Sequence, residues 1–266
     1  MINKKFKDLE KDFIKDFWEN QAKKYGESPE ASWGDNFAID LEVDNIGSYI
    51  SDGKSVLDVG CANGFALLRH ASKNKLLNSK GIDFAKNMIE KAKAAAAKMN
   101  VDNIDFSLGD VRALDFNDNE FDIVYTTRVL INLPNWEEQM AGINECIRVT
   151  KHGGIIILSE AFWEPLVKLN SLRTLLGLNS LVEHDFNRYI KKSRLNDFLH
   201  QKDISYKIND FSSVYYLGSR LIRELVTNPS DYPGYTNPIN EIFYRIEKDF
   251  SGGDVGIQQA YILTKK

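Results

Sequence analysis

The 266-residue chain is poor in the residues that staple or metallate a fold. Its two cysteines, Cys61 and Cys146, are far apart and form no C-x-x-C, and its four histidines, His70, His152, His184 and His200, show no ligand spacing. Neither a disulfide framework nor a metal site is expected. Long apolar runs are also missing. The longest, around residues 155–158, is far short of the roughly 20 residues that cross a bilayer, and no basic start leads into an apolar stretch that would read as a signal peptide. Excess positive charge is absent too. A net charge of −4 argues against a dedicated nucleic-acid binder. These absences predict a cytoplasmic protein with reduced thiols and no membrane or nucleic-acid partner. A chain of this length buries roughly three quarters of its unfolded surface, so it needs no such staples.

What is present is an alternation. Residues 5–26 have helical composition, with apolar positions at Leu9, Phe13, Ile14, Phe17 and Trp18, and Gly26 and Pro29 stop the helix. A second amphipathic stretch covers 35–50. From Lys54 onward short apolar runs predict strands at 55–59, 80–84, 104–108, 121–126 and 155–159, the last launched by Gly153-Gly154. Helices are expected between them at 65–72, 86–99 and 136–149. Strands alternating with helices of this length mean right-handed βαβ units and a parallel sheet. After residue 160 the rhythm changes. Helices are expected at 164–176, 191–200, 217–226 and 240–249, and strands at 204–214 and 256–264. A polar segment surrounds His184, and a turn-rich stretch carries Pro229, Pro233, Gly234 and Pro238.

The chemistry concentrates where the early strands end. Asp58-Val59-Gly60-Cys61-Ala62-Asn63-Gly64 follows the first strand, in the position where open α/β sheets bind nucleotides. Gly60 lets a ligand approach the main chain closely; a tight turn with no ligand is the competing reading. Laid over this loop from Gly60, the dinucleotide pattern G-x-G-x-x-G puts its later glycines on Ala62 and Phe65. NAD and FAD are therefore disfavoured. Asp83, ending the second strand, suits ribose hydroxyls or a helix cap. Asp110, after the third strand, suits an adenine amino group or a turn.

VLDVGCANG, GIDFAKNMIEKA, LGDVRAL, FDIVYTTRVLINLPN and GGIIILSE resemble, in order, the motifs of class I S-adenosylmethionine (SAM) dependent methyltransferases. The resemblance covers about residues 54–160. It implies a doubly wound, mostly parallel α/β sheet of seven strands, the last antiparallel, with helical cap insertions. It implies SAM as cofactor, with Asp58 and Gly60 beside its methionine part, Asp83 and neighbouring Phe84 at the ribose, and Asp110 with Val111 at the adenine. FWENQAKKYG, ASWGDNFAIDLE, HDFNRYI and GDVGIQQAYILTKK are similar to methyltransferases of bacterial surface-polysaccharide and small-metabolite modification. In such enzymes an N-terminal aromatic closes over SAM, which points to Tyr25 and Trp33. Cys61-Ala62-Asn63 departs from relatives that carry a further glycine. The expected organisation is one methyltransferase domain: a helical cap (1–53), a SAM-binding core (54–160), an acceptor lid with the sixth strand (161–250) and the last strand (251–266).

Methyl transfer needs alignment of acceptor, methyl and sulfur, and an acceptor hydroxyl also needs a base. His184, beside Glu183 and Asp185, is the leading base, since histidine exchanges its proton near neutral pH. Glu160 ends the fifth strand, where active-site residues of such sheets collect, or else caps a helix. Arg128 stands out in an uncharged run; it could clamp the SAM carboxylate or an anionic acceptor, or form a buried ion pair. Tyr215, Tyr216 and Arg220 suit an acceptor pocket or the core. The expected activity is O-methylation of a small polar acceptor: a sugar, a nucleotide-linked sugar or a phosphoryl compound. An N-methyltransferase on an amino sugar or other small amine, a non-catalytic SAM-binding protein and an NAD-dependent enzyme are the alternatives.

Overall fold

The computed structural model describes residues 2–184, 186–228, 230–231 and 233–266, with the α1 side chains described from residue 13 onward. Asp185 and Pro229, singled out above, lie outside it, as does the Leu9 side chain. Seven strands, β1 (Val56–Val59), β2 (Ser79–Asp83), β3 (Ile104–Leu108), β4 (Phe121–Thr127), β5 (Thr150–Ala161), β6 (Ser205–Asn209) and β7 (Gln258–Thr264), form one sheet in the order β3-β2-β1-β4-β5-β7-β6. The first five run parallel, and β7 is antiparallel to both β5 and β6. The order reverses beside β1, which puts the topological switch point, and the crevice it opens, at the carboxyl ends of β1 and β4. Val56, Leu57, Ile123, Val124, Ile156, Ile157 and Leu158 are almost wholly buried, because both sheet faces are covered.

Five helices follow the sheet through its first half: α1 (Ile2–Tyr25), α2 (Asn36–Gly47), α3 (Phe65–Lys73), α4 (Lys86–Lys98) and α5 (Trp136–Val149). α5 is the cleanest case. Its N-cap Asn135 accepts from the Glu138 amide, two glutamates fill the first turn and Arg148 the last. Beyond β5 come α6 (Trp163–Leu175), α7 (Lys192–Gln201), α8 (Ser213–Leu217), a π-helical turn (Gly218–Ile222), α9 (Arg223–Val226) and α10 (Pro238–Asp249).

Two expectations are corrected. The strand expected over 204–214 stops at Asn209, and its last two residues, Ser213 and Val214, open the helix α8 instead. Val214 is β-branched and favours a strand locally, but Glu247 accepts the amide of the next residue, Tyr215, at 2.7 Å and Asp35 accepts the Tyr215 hydroxyl at 2.6 Å. Tertiary partners override the propensity. Gly153-Gly154 lies inside β5 rather than launching it. Gly153 takes φ +73°, and the pairing register of β4 and β5 shifts between Phe121 and Ile123. Among the described residues no helix is long and apolar enough to cross a membrane, and no group of three or more His, Cys, Asp or Glu side chains could hold a metal ion.

Candidate active site

The loop after β1 is built by backbone demands. The Gly60 and Cys61 amides both donate to the Ile82 carbonyl, at 2.7 and 2.8 Å, folding the chain back over β2. Gly60 sits at φ +78°, and a Cβ there would meet Val129 Cγ2 at 2.2 Å. Gly64 starts α3 at the same φ, facing Phe106 and Ala92. Ala62 accepts a left-handed φ of +46°, uncommon without glycine. Asn63, the other departure, has its own work: its amide donates to the Gly26 and Ser28 carbonyls at 3.0 and 2.7 Å. That ties the end of α1 onto the loop. Glu19 of α1 adds a second tie by accepting the Lys86 and Asn87 amides at 2.8 Å each, capping α4.

Two cavities open at this edge. The first, about 570 Å³, is lined by Gly60, Asp83, Phe84, Leu108, Asp110, Val111, Arg128 and Leu133, with Ile14 and Trp18 of α1 as its roof. The second, about 520 Å³, is walled by aromatics (Phe17, Tyr25, Trp33, Phe186, Tyr189, Tyr216 and Tyr235) together with His184, Arg220 and Gln258. Both volumes fall in the range of about 300–1,000 Å³ usual for small-ligand sites. Trp18, Ser32, Arg128 and Asn132 line both, so the cavities share a wall.

The structure gathers most of the expected residues here. Asp83 accepts the Ala62 amide at 3.0 Å and the Ala85 amide at 2.8 Å, and burial pushes its carboxyl up to about 6. Phe84 and Leu108 are 37% and 58% exposed, apolar faces left open in a cavity. Asp110 is held by Arg112, whose Nε donates to Oδ1 at 2.8 Å, and Arg112 Nη1 reaches Glu138 at 2.8 Å. Arg128 takes a left-handed φ of +56°; its Nε pairs with buried Glu42 at 3.1 Å, and its guanidinium lies 4.8 Å from the centre of the Trp33 ring. Burial pushes Glu42 up to about 7 against the pull of Arg128. Non-glycine residues in strained backbone cluster at functional sites, and Arg128 sits between both cavities.

Three residues stand differently. Asp58 is buried beneath the loop and lines neither cavity. It accepts the Tyr125 hydroxyl at 2.7 Å, and burial pushes it up to about 7. The structure does not bring Glu160 to the cavities. Fully buried and pushed up to about 7 by that burial, it accepts from the Thr126 hydroxyl at 2.7 Å and from the Val129, Leu130 and Ile131 amides at 3.2–3.3 Å. It thereby secures the turn that carries Arg128 and Asn132. His184 is exposed, at the mouth of the second cavity, against the Phe17 and Phe186 rings.

Sequence reasoning missed Trp18, Arg112, Asn132 and Glu42. Their signal is tertiary, apart from the aromatic run Phe17-Trp18. Buried polar atoms without a protein partner also collect at this edge: Thr127 Oγ1 and Asn132 Oδ1 in the first cavity, and Gln21 Oε1, Arg220 Nη1 and Gln258 Oε1 in the second. Such groups are rare in native folds and call for a ligand or water.

A family model described as a methyltransferase domain matches residues 50–211. The chain is similar to an uncharacterized methyltransferase of Schizosaccharomyces pombe, 31% identical over 122 residues, which is 42% of either chain. It is also similar to the 27-O-demethylrifamycin SV methyltransferase of Amycolatopsis mediterranei, 30% identical over 115 residues, covering 42% of this chain and 40% of that one. The chain thus spans about two fifths of the length of the curated relatives it matches. Among solved structures it is similar to the magnesium protoporphyrin IX methyltransferase of Synechocystis, which holds S-adenosylhomocysteine. The TM-score is 0.62 at 15% identity, covering 96% of this chain and all of the other, a likeness of fold.

Proposed function

The chain belongs to the methyltransferase-domain family, with the class I fold and SAM as cofactor, and on that premise we propose that it methylates a hydroxyl of a small polar acceptor, a sugar or a nucleotide-linked sugar. The observation that carries this reading is the shared wall: a cavity with nucleotide-binding features opens against an aromatic cavity across Trp18, Ser32, Arg128 and Asn132.

The first cavity fits SAM. Two strand-end carboxylates stand 27 residues apart in sequence, at Asp83 and Asp110. Open apolar faces at Phe84 and Leu108 suit a flat base, and the Thr127 and Asn132 oxygens lack partners. In this reading Asp83 and Phe84 hold the ribose. Asp110, shared with Arg112, and Val111 hold the adenine. Gly60 gives the methionine end access to the main chain, with Asp58 stiffening the loop from below. Arg128 holds the carboxylate, and Tyr25 and Trp33 close the N-terminal side. SAM supplies an electrophilic methyl on a sulfonium; the chain supplies alignment, which is worth about 7–11 kcal/mol in favourable cases. Residues 1–53 and 161–250 act as cap and acceptor lid on the 54–160 core.

The second cavity favours a hydroxyl over an amine. The Trp33 and Tyr235 rings already carry Arg128 at 4.8 Å and Arg220 at 4.4 Å, so an amine cation seeking those rings would meet a guanidinium. His184 takes the hydroxyl proton in this scheme, and Glu160 positions the Val129–Ile131 amides rather than touching the acceptor.

Calorimetry with SAM tests the core of the proposal: micromolar binding is expected, and none at high micromolar cofactor would end it. With an acceptor found by tritium transfer from SAM, His184→Ala should lower turnover about 10²–10⁴-fold while SAM affinity stays within twofold. Wild-type turnover would remove His184 as the base.

A further inference from the structure

The second cavity has one feature that methyl transfer as such does not need. Arg220 is 9% exposed and permanently charged. One terminal nitrogen, Nη2, donates to Asp35 Oδ2 at 2.6 Å. The other, Nη1, is buried in the cavity wall with no hydrogen-bond partner. Its guanidinium lies 4.4 Å from the centre of the Tyr235 ring and 5.2 Å from that of Tyr216, so two aromatic walls hold it in place. Asp35 cannot swing to serve both nitrogens. Its Oδ1 already accepts the Tyr215 hydroxyl at 2.6 Å and the Ala38 amide at 3.2 Å.

The backbone beneath is unusual as well. Arg220 sits in the middle of the π-helical turn Gly218–Ile222, between α8 and α9. π-turns interrupt helices mostly as local bulges and often at functional sites. Gly218 at its start packs so closely on α10 that a Cβ would fall 1.8 Å from Phe243 Cγ. The bulge therefore occurs where the helix has no freedom to shift, and it carries the arginine.

Among the described residues, the two carboxylates lining this cavity are turned to protein donors. Glu183 accepts the Tyr189 amide at 2.6 Å and Glu30 the Asn36 side-chain amide at 3.2 Å. A buried cation with one nitrogen paired and one vacant needs an oxygen from outside. We propose that Arg220 is the specificity-determining residue of the second cavity, and that the acceptor carries an acidic oxygen group, a carboxylate or phosphate, which docks on Nη1. Gln258, whose Oε1 also lacks a partner there, takes a neighbouring hydroxyl. The inference rests on the methyl-transfer reading for identifying this ligand as the acceptor.

The test uses the full chain loaded with S-adenosylhomocysteine. Benzoate, glucuronate and glucose 6-phosphate are titrated calorimetrically against their neutral counterparts benzamide, glucuronamide and glucose. At least one anion should bind tenfold or more tightly than its counterpart, and the arm that does so separates carboxylate from phosphate. Arg220→Gln should abolish the preference and Arg220→Lys keep part of it, with S-adenosylhomocysteine affinity within twofold. Because Arg220→Gln strands a buried Asp35, the double variant Asp35→Asn/Arg220→Gln removes both charges together; it too should lose the preference. No preference in any pair, or a preference surviving in the double variant, overturns the proposal. Failure to bind S-adenosylhomocysteine would instead strike the methyl-transfer reading, and the same anion titration on the unloaded chain still decides the arginine's role.

Discussion

Residues 54–160 and residues 161–250 are both polar at the cavity edge, but they hold that polarity in different ways. In the first region the contacts within the sheet edge are short in sequence or follow strand neighbours: Ala62 to Asp83, Asp110 to Arg112, Tyr125 to Asp58. The N-terminal segment is then tied on through Asn63 and Arg128. In the second the tethers reach far along the chain. Arg220 pairs with Asp35, Tyr244 with Asp40 and Asn209 with Asn45, all on or beside α2. A site made from consecutive strand ends comes with the sheet itself. A site made from a cap exists only once distant segments have docked.

Two glycines set the sharpest contrast. Gly60→Ala combines a left-handed φ with a clash on Val129. It should cost about 2–5 kcal/mol of stability and lower SAM affinity a hundredfold or more, read by urea unfolding and calorimetry. Gly218→Ala keeps an ordinary helical φ but clashes with Phe243; it should cost about 1–3 kcal/mol, leave SAM affinity within twofold and weaken acceptor use. Equal loss of SAM binding in both variants would erase the distinction between the two regions.

Next in size is Asp83→Ala, which removes hydrogen bonds to a charged group worth about 1.5–3 kcal/mol. The SAM dissociation constant should rise about tenfold to a hundredfold, and unchanged affinity would withdraw Asp83 from the ribose.

The smallest effect is on pH. Burial pushes Asp58 and Glu160 up to about 7 and Asp83 to about 6, while Glu247 is pushed to about 7 in the second region. A carboxyl raised in the fold contributes stability that is fully present below its ordinary range and lost as pH rises through the raised value. His70, pushed down to about 4 by burial, acts oppositely below its ordinary 6.5. The melting temperature of the ligand-free chain should therefore fall by several degrees between pH 5.5 and 8. Hydrogen exchange should show the larger share in residues 54–160. A rise over that interval would contradict these burial-driven shifts.

The contrast also explains what could be read in advance. The helices at 86–98 and 136–149 and the strands of the core follow from local patterning, and the motif at Asp58–Gly64 has a defined spacing. Asn63 is the instructive departure. It looked like a missing glycine, yet its amide pins residues 26 and 28, which no spacing rule shows. Glu160 carried a strand-end position that suits catalysis, but the turn at 129–131 folds back onto its carboxylate. Val214 read as strand because the partners that fix the helix at Tyr215 beside it, Glu247 and Asp35, lie 32 and 180 residues from that tyrosine.

The order of strands and helices, the glycine loop and the carboxylates at the strand ends follow from the sequence by itself, because side-chain period and turn chemistry act over a few residues. Which cavity each side chain serves was decided only by the tertiary structure. Arg128 stands out in the chain and Arg220 lies close to two tyrosines, but neither position names its partner. Glu42 and Asp35 hold them at a shared edge because a charge taken out of water must find its partner wherever the fold brings one.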